Sequence, residues 1–150
     1  VKVVYPYGYG MFQWQVFADD QTVSNFINSN FNFHAFNGKM KEYDAKFGFC
    51  QFFNRDEYIK LGMENENFIS YGYEDDERYH RFNTCSQVVR INDCIYHLEH
   101  QRSQNSWFTN PHIENNRKEW EKLKIMGKKS IEKYYQNVDY VKRRFGQEQK

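Results

Sequence analysis

The sequence lacks the features that mark membrane-spanning, disulfide-stabilised and nucleic-acid-binding proteins. No apolar run approaches the roughly 18 residues that a membrane span needs. The 21 Lys and Arg residues nearly balance the 20 Asp and Glu residues, so neither nucleic acid nor a membrane surface is expected as a partner. Cys50, Cys85 and Cys94 are odd in number and have no CxxC spacing. Free thiols in a reducing compartment are therefore expected, rather than a disulfide framework or a structural zinc site.

Three familiar catalytic signatures are also missing: a glycine-rich phosphate loop, a GxSxG nucleophile elbow and an HExxH zinc helix. Aromatic side chains, by contrast, are abundant and make up 19% of the 150 residues. Tyr and Trp rings suit stacking on sugars and bases, but they fill hydrophobic cores equally well. The length suffices for one domain with a sizeable core.

The order of the predicted elements indicates a mixed α/β fold. Strands are predicted at 1–5, 47–53, 87–92 and 94–100, and helices at 20–29, 55–61, 74–84, 111–126 and 130–144. The irregular stretch NSNFNFHAFNGK (28–39) is predicted to be a loop, with a short strand at 33–36 as its only regular element. The last two strands flank Asn92-Asp93, which is a hairpin-type signal. Asn54 is expected to cap the second helix and Gly62 to end it.

The stretch SYGYEDDERYHRF (70–82) joins an aromatic-glycine-aromatic triplet to an acidic run. A helix start explains the acidic run, because the positive end of the helix dipole favours carboxylates. It does not explain the aromatic triplet before them. A carboxylate such as Glu74 or Asp75, placed beside the ring of Tyr71, can accept a proton from a sugar hydroxyl stacked on that ring. Both interpretations remain open at this point.

Two histidines in HLEH, His97 and His100, form a second candidate site. Neutral imidazole nitrogens are good ligands for first-row divalent metals. On a regular strand the two rings point to opposite faces, so a shared ligand role requires the strand to end or kink near Leu98. The alternative is one packed and one solvated histidine.

The polar stretch QRSQNSWF (101–108) follows these histidines directly. Its Arg102 and Asn105 side chains can hold phosphate or hydroxyl groups. An ordinary polar surface loop is the alternative interpretation.

Taken in order, these segments resemble the C-terminal half of a GT-A glycosyltransferase, in the branch of galactosyltransferases and chondroitin-polymerase-type enzymes. That branch carries an aromatic-Gly-x-Glu-Asp-Asp pattern, matched here by YGYEDD (71–76), with Arg81 further along the helix. FGFCQFFNRDEYIKLG (47–62) is similar to the strand and helix before that pattern, and HLEHQRSQNS (97–106) to the segment with a metal-ligand histidine. VVYPYGYG (3–10) looks like the segment after the metal-binding Asp-x-Asp of such enzymes.

The resemblance implies a role for each matched residue. Tyr71 would stack on the acceptor sugar, Glu74 would bind acceptor hydroxyls, and Asp75 would be the catalytic base of an inverting displacement. Gly72 would let the backbone approach the sugar, while Tyr73 stands where relatives tend to have a second Gly, so the acceptor pocket is expected to differ. His100, with His97, would bind Mn2+ or another divalent cation that neutralises the leaving diphosphate.

The resemblance also implies the organisation of the protein. Residues 1–126 would be the C-terminal part of a GT-A domain, and 127–150 a C-terminal helix with a polar tail. Because the Asp-x-Asp and the strands before it are missing, and the chain begins without Met, we expect an acceptor-side half. Such a half should show negligible transfer by itself and should self-associate or cover its exposed face with the C-terminal helices.

The expected function is an inverting galactosyl- or N-acetylgalactosaminyl-type hexosyltransferase of bacterial surface-polysaccharide synthesis. Its partners would be a nucleotide-sugar donor and a saccharide acceptor. We expect a cytoplasmic location, with any membrane association supplied by regions outside this chain. The alternatives are a non-catalytic carbohydrate-binding module and a metal-dependent hydrolase that uses His97, His100 and Asp75.

Overall fold

The computed structural model describes residues 2–106 and 109–145, which form a mixed α/β protein as predicted. The strands are β1 Val3–Tyr5, β2 Gln13–Val16, β3 Met40–Glu42, β4 Phe52–Phe53, β5 Val88–Arg90 and β6 Ile95–Leu98. The α-helices are α1 Asp20–Asn28, α2 Arg55–Lys60, α3 Glu74–Cys85, α4 Ile113–Leu123, α5 Lys128–Asn137 and α6 Asp139–Phe145. Within the described ranges, none of these helices has the length and apolarity that a membrane crossing requires. Val1 of the predicted first strand and the tail at 146–150 lie outside the described residues.

The chain divides into two compact units. The described part of the first, called here the helical unit, comes from the ranges Val1–Val4, Phe52–Val89 and Arg102–Lys150. The second, called here the sheet unit, consists of Tyr5–Gln51 and Arg90–Gln101. Helices α4 and α5, on either side of residue 126, both belong to the helical unit.

A buried ion pair on α3 lies at the centre of the helical unit. Arg81 is fully buried and pairs with Glu77 one turn earlier, with 3.1 Å between Nη2 and Oε2. Its Nη1 group donates to the carbonyls of Leu61 and Met63, both at 2.6 Å. The Tyr135 hydroxyl of α5 donates to Glu77 Oε1 at 2.6 Å. The buried charges are therefore both paired and hydrogen-bonded, which is the condition for retaining them in a core.

The helix before α3 begins and ends where local chemistry predicts. Asn54 accepts a hydrogen bond from the backbone N–H of Glu57 at 3.1 Å and so caps α2. Gly62 has φ 89°, and a Cβ there would collide with the Tyr135 ring. Only glycine satisfies both the left-handed backbone and this close packing.

The sheet unit is built on β2, which pairs antiparallel with β3 and parallel with β6. The buried Gln13 side chain of β2 fastens the surrounding loops. Its Nε2 donates to the Gly8 carbonyl at 2.9 Å, and its Oε1 accepts from the Ala45 N–H at 2.6 Å. Both ends of this buried side-chain amide are therefore hydrogen-bonded to backbone groups, and these bonds fix the loops next to the sheet.

The predicted hairpin between the last two strands is wrong. β5 joins the sheet ordered β4-β1-β5, whereas β6 pairs with β2 in the sheet ordered β3-β2-β6. The backbone of the connection bonds elsewhere: the Ile91 N–H donates to the Tyr5 carbonyl, and the Asp93 carbonyl accepts from the Gly8 N–H. Pairing with distant segments therefore overrides the local turn signal.

Three other predicted boundaries also differ. Residues 33–36 form a 3-10 helix instead of a strand, because the Asn32 side chain accepts from the His34 N–H and caps a turn. The strand predicted at 47–53 is reduced to β4, since Phe49 has a left-handed φ of 62°. The last predicted helix is two helices, broken where Val138 adopts an extended ψ of 140°.

Candidate functional site

The start of α3 has an unusual backbone. Tyr73, the residue that precedes the helix, has left-handed dihedral angles of φ 71° and ψ −7°. Gly72 before it has φ 120°, and a Cβ added to it would collide with Ile113 Cδ1. Glycine is therefore required at 72 by its backbone angle and by the lack of space. The helix itself begins at Glu74, as predicted from the acidic run.

Two buried asparagines clamp the loop that carries Tyr71. The Asn110 amide donates to the carbonyls of Ile69 and Tyr71, both at 2.8 Å. The Asn116 amide donates to the same carbonyls at 3.1 Å and 3.3 Å, and its Oδ1 accepts from the Ile69 N–H at 3.0 Å. Nothing in the sequence spacing points to this clamp. The clamp fixes the backbone on which the aromatic ring is mounted.

Glu74 turns back toward the loop. Its Oε2 accepts a hydrogen bond from the Gly72 N–H at 2.6 Å. Partial burial raises the pKa of its carboxyl, and the neighbouring charge of Asp75 raises it further. A desolvated carboxyl of this kind bonds hydroxyl groups strongly, because little water competes for it.

Asp75 is held differently from Glu74. Its Oδ1 accepts from Arg78 Nη1 at 2.6 Å, while its side chain remains 40% exposed. Arg78 also donates from Nε and Nη2 to Glu64 Oε2, at 3.0 Å and 2.6 Å. Despite desolvation, these two carboxylates hold the pKa of Arg78 above its ordinary value, so the guanidinium stays charged. The two carboxylates at the helix start thus have separate environments, one desolvated and one ion-paired.

The polar stretch after the histidines reaches this loop through its backbone. The Asn105 carbonyl accepts from the Ser70 hydroxyl at 2.6 Å and from the Tyr71 N–H at 3.4 Å. The Asn105 and Arg102 side chains are exposed. Trp107 and Phe108, at the end of the same stretch, lie outside the described residues. The helical unit therefore brings Asn105 together with Tyr71, Gly72, Tyr73, Glu74 and Asp75.

The two candidate metal ligands lie close together in the sheet unit. β6 ends at Leu98, so His100 lies beyond the strand and its ring does not have to point to the face opposite His97. The ring centroids of His97 and His100 are 5.7 Å apart. His97 stacks on Phe49 with centroids at 4.6 Å. His97 Nδ1 is buried and lacks a hydrogen-bond partner among the described residues, although Glu99 Oε1 lies 3.3 Å away.

This arrangement fits part of a metal shell. Each of the two neighbouring imidazole rings can supply one ligand nitrogen, while the Glu99 carboxylate faces His97 Nδ1 at 3.3 Å. The described residues contain no group of three or more His, Cys, Asp or Glu side chains that could hold a metal ion. The histidine pair would therefore supply two ligands, and a substrate phosphate or water would supply the others, as is common for ions that act on nucleotides.

Comparison of the chain with protein-family models, with curated proteins and with solved structures finds no match. The functional assignment therefore depends on the chemistry of the residues described above.

Proposed function

We propose that the start of α3 is the acceptor site of an inverting glycosyltransferase, of galactosyl or N-acetylgalactosaminyl type. The observation that carries this proposal is the clamped loop with Tyr71, which leads directly into two carboxylates in different environments at the start of α3. Rigid placement of a ring and a proton acceptor is what hydroxyl activation on a stacked sugar needs.

In this proposal Asp75 is the base. An acceptor hydroxyl gives its proton to the Asp75 carboxylate while its oxygen forms a bond to the anomeric carbon of the donor. The bond from that carbon to the diphosphate oxygen breaks, and the electron pair leaves with the diphosphate. Because attack and departure occur on opposite faces, the anomeric configuration inverts.

Arg78 fixes the position of this base, because its Nη1 group donates to Asp75 Oδ1 at 2.6 Å. The same guanidinium is held in place by Glu64, which accepts from Nη2 at 2.6 Å. Glu74, fixed by the Gly72 N–H, would orient the acceptor hydroxyls.

His97 and His100 would hold the divalent cation, with Mn2+ as the proposed ion. When bound, such an ion neutralises the charge that develops on the leaving diphosphate.

The test is transfer of radiolabelled galactose or N-acetylgalactosamine from its nucleotide diphosphate to a saccharide acceptor, with the product of the complete gene and Mn2+. Asp75→Asn should lower kcat by about 10²- to 10⁴-fold, the usual contribution of a general base. Asp56→Asn, which changes an exposed carboxylate of α2, is the matched control and should leave kcat unchanged. Transfer that persists at full rate in Asp75→Asn would remove the assignment of the base.

A non-catalytic carbohydrate-binding module is the second candidate. The observation that favours it is the ion pair itself, since one Asp75 oxygen already accepts from Arg78. A module of this kind would bind the acceptor, lose affinity in Tyr71→Ala and show no transfer with any donor in the assay above.

A further inference from the structure

The sheet unit contains a cavity of about 520 Å³ that none of the roles above uses. Its wall is formed by the segment between α1 and β3, together with Tyr96 of β6. The volume falls within the range of roughly 300–1,000 Å³ that is typical of small-ligand sites.

The aromatic wall of this cavity is more exposed than a core would be. Phe33 stacks on Tyr96, with ring centroids 4.3 Å apart and planes 20° from parallel. Nevertheless Phe33 is 47% exposed and Phe31 is 60% exposed, whereas the adjacent Phe36 is fully buried. Phe31 and Phe33 each pack one side of the ring against Phe26, with centroids 5.5 Å and 5.3 Å away, and the rest of each ring is in contact with water.

The backbone of Phe31 also has a conformation that is unfavourable for a bulky side chain. Its φ is 60°, and its N–H donates to the Phe26 carbonyl at 2.9 Å in the turn that ends α1. Helix ends of this kind favour Gly or Asn, because a bulky L-residue is strained in the left-handed region. The contact of the Phe31 ring with Phe26 offsets part of this cost, and the larger part of the residue remains exposed and available to a ligand.

The rim of the cavity is polar. Asn32, His34 and Asn37 contribute to its lining, and the described lining residues include no Asp, Glu, Lys or Arg. Asn32 uses its Oδ1 to accept from the His34 N–H at 3.0 Å, which leaves its Nδ2 group for a ligand. Amides both donate and accept hydrogen bonds, as do sugar hydroxyls.

We propose that this cavity binds an uncharged saccharide ring. One face of the ring packs on the aromatic wall at Phe31 and Phe33, and its hydroxyls bond the amides of Asn32 and Asn37. The absence of a cationic side chain from the described lining disfavours a nucleotide phosphate or an acidic sugar, because neither would find a partner for its charge. No carboxylate lines the described cavity, so the bound sugar is held without reaction. This proposal goes beyond the acceptor site of the helical unit and does not depend on it.

The experiment is isothermal titration of the protein with three neutral oligosaccharides: galactobiose, cellotriose and chitotriose. Phe31→Gly should weaken binding of the preferred sugar about tenfold, since an aromatic contact contributes on the order of one factor of ten. The same substitution should leave the thermal midpoint unchanged or raise it, because glycine relieves the left-handed strain. Phe17→Ala is the matched control: Phe17 is 54% exposed in the same unit, outside the described lining, and its loss should not change the affinity.

A second substitution, Asn37→Ala, tests the polar rim and should also weaken binding. Saccharide binding to this cavity should persist in Tyr71→Ala, and this result would distinguish the cavity from the proposed acceptor site. The proposal is overturned if none of the three sugars binds, or if Phe31→Gly and Asn37→Ala both bind like the wild type. It is also overturned if oligogalacturonate or a Phe-containing neutral peptide binds more tightly than every neutral sugar.

Discussion

The two units of this chain differ in the side chains that they hold in fixed contacts and in those that they leave exposed to water. In the helical unit the guanidiniums of Arg81 and Arg78 are each paired with carboxylates: the Arg81 pair is buried, and the Arg78 guanidinium is mostly buried although its carboxylate partners are partly exposed. In the sheet unit the rings of Phe31 and Phe33 remain in water beside uncharged amides. Fixed charge suits a chemical step, whereas exposed rings and amides suit binding without reaction. The experiments below test whether this difference in exposure and charge corresponds to the two proposed roles.

The largest effect should come from breaking the buried ion pair of the helical unit. Arg81→Met leaves Glu77 charged and buried, which should lower the free energy of unfolding by roughly 3–5 kcal/mol. Arg117→Met is the matched control, because Arg117 pairs with Glu114 and Glu121 at the surface, where such pairs contribute about 0–1 kcal/mol. Urea denaturation measures both. Equal losses of unfolding free energy in the two variants would show that the buried pair contributes no more to stability than the surface pair.

A second prediction compares one glycine from each unit. Gly72→Ala should cost roughly 2–4 kcal/mol, since a left-handed backbone and a collision with Ile113 act together. Gly38→Ala in the sheet unit has φ 74° and nothing within 4 Å of the added Cβ, so only the backbone cost of about 1–2 kcal/mol applies. Denaturant midpoints give the difference. A Gly38 variant as unstable as the Gly72 variant would contradict close packing at the helix start.

These glycines also show how far the sequence determines the structure. The start of α3, the Asn54 cap and the Gly62 end follow from neighbouring residues and are predictable. The clamp by Asn110 on the Tyr71 loop is not, because it joins segments far apart in the chain. Sequence spacing alone identifies Glu74 and Asp75 as candidate site residues, but it does not predict the distant residues that fix the loop before them.

Strand pairing shows the same limit in the sheet unit. A local Asn92-Asp93 turn signal predicts a hairpin, yet β6 pairs with β2 about 80 residues earlier, as Trp14 opposite Tyr96 shows. The cavity with Phe31 was not predicted, since Phe33–Phe36 was expected to form a strand. Its sequence signal is the density of aromatics and asparagines in NSNFNFHAFN.

The third prediction concerns the histidine pair. If His97 and His100 bind Mn2+, an ion concentration ten times the dissociation constant should add about 1.4 kcal/mol to the free energy of unfolding. The double variant His97→Ala and His100→Ala should lose this gain, whereas His112→Ala in the helical unit should keep it. Thermal unfolding with and without Mn2+ measures the effect, and a gain that survives the double variant would place the ion elsewhere.

The smallest effect is a difference in pH dependence between two carboxylates of the helical unit. Burial raises the pKa of Glu74, so its ionisation opposes folding, and Glu74→Gln should stabilise the protein slightly at pH 7 and not at acid pH. Glu119 is the matched case: although desolvated, it is held by Lys122 and Tyr134, which lower its pKa. Glu119→Gln should therefore destabilise at pH 7, with the difference fading as the pH falls toward the carboxylate range. Denaturation at pH 3 to 8 would contradict this assignment if both variants changed stability in the same direction.

The most direct test of the acceptor site is an NMR-monitored titration of the protein with neutral oligosaccharides. It uses the Phe31→Gly variant, in which saccharide binding to the sheet-unit cavity is expected to be weaker. Tyr71→Ala should lower the remaining saccharide affinity about tenfold. Asp75→Asn should change it less than twofold, because the base acts on the proton and contributes little to holding the ring. Signals of the Tyr71 loop and the first turn of α3 should shift with the bound sugar. Saccharide binding that is unchanged by Tyr71→Ala, with no shift at Tyr71, would contradict an acceptor site at the start of α3.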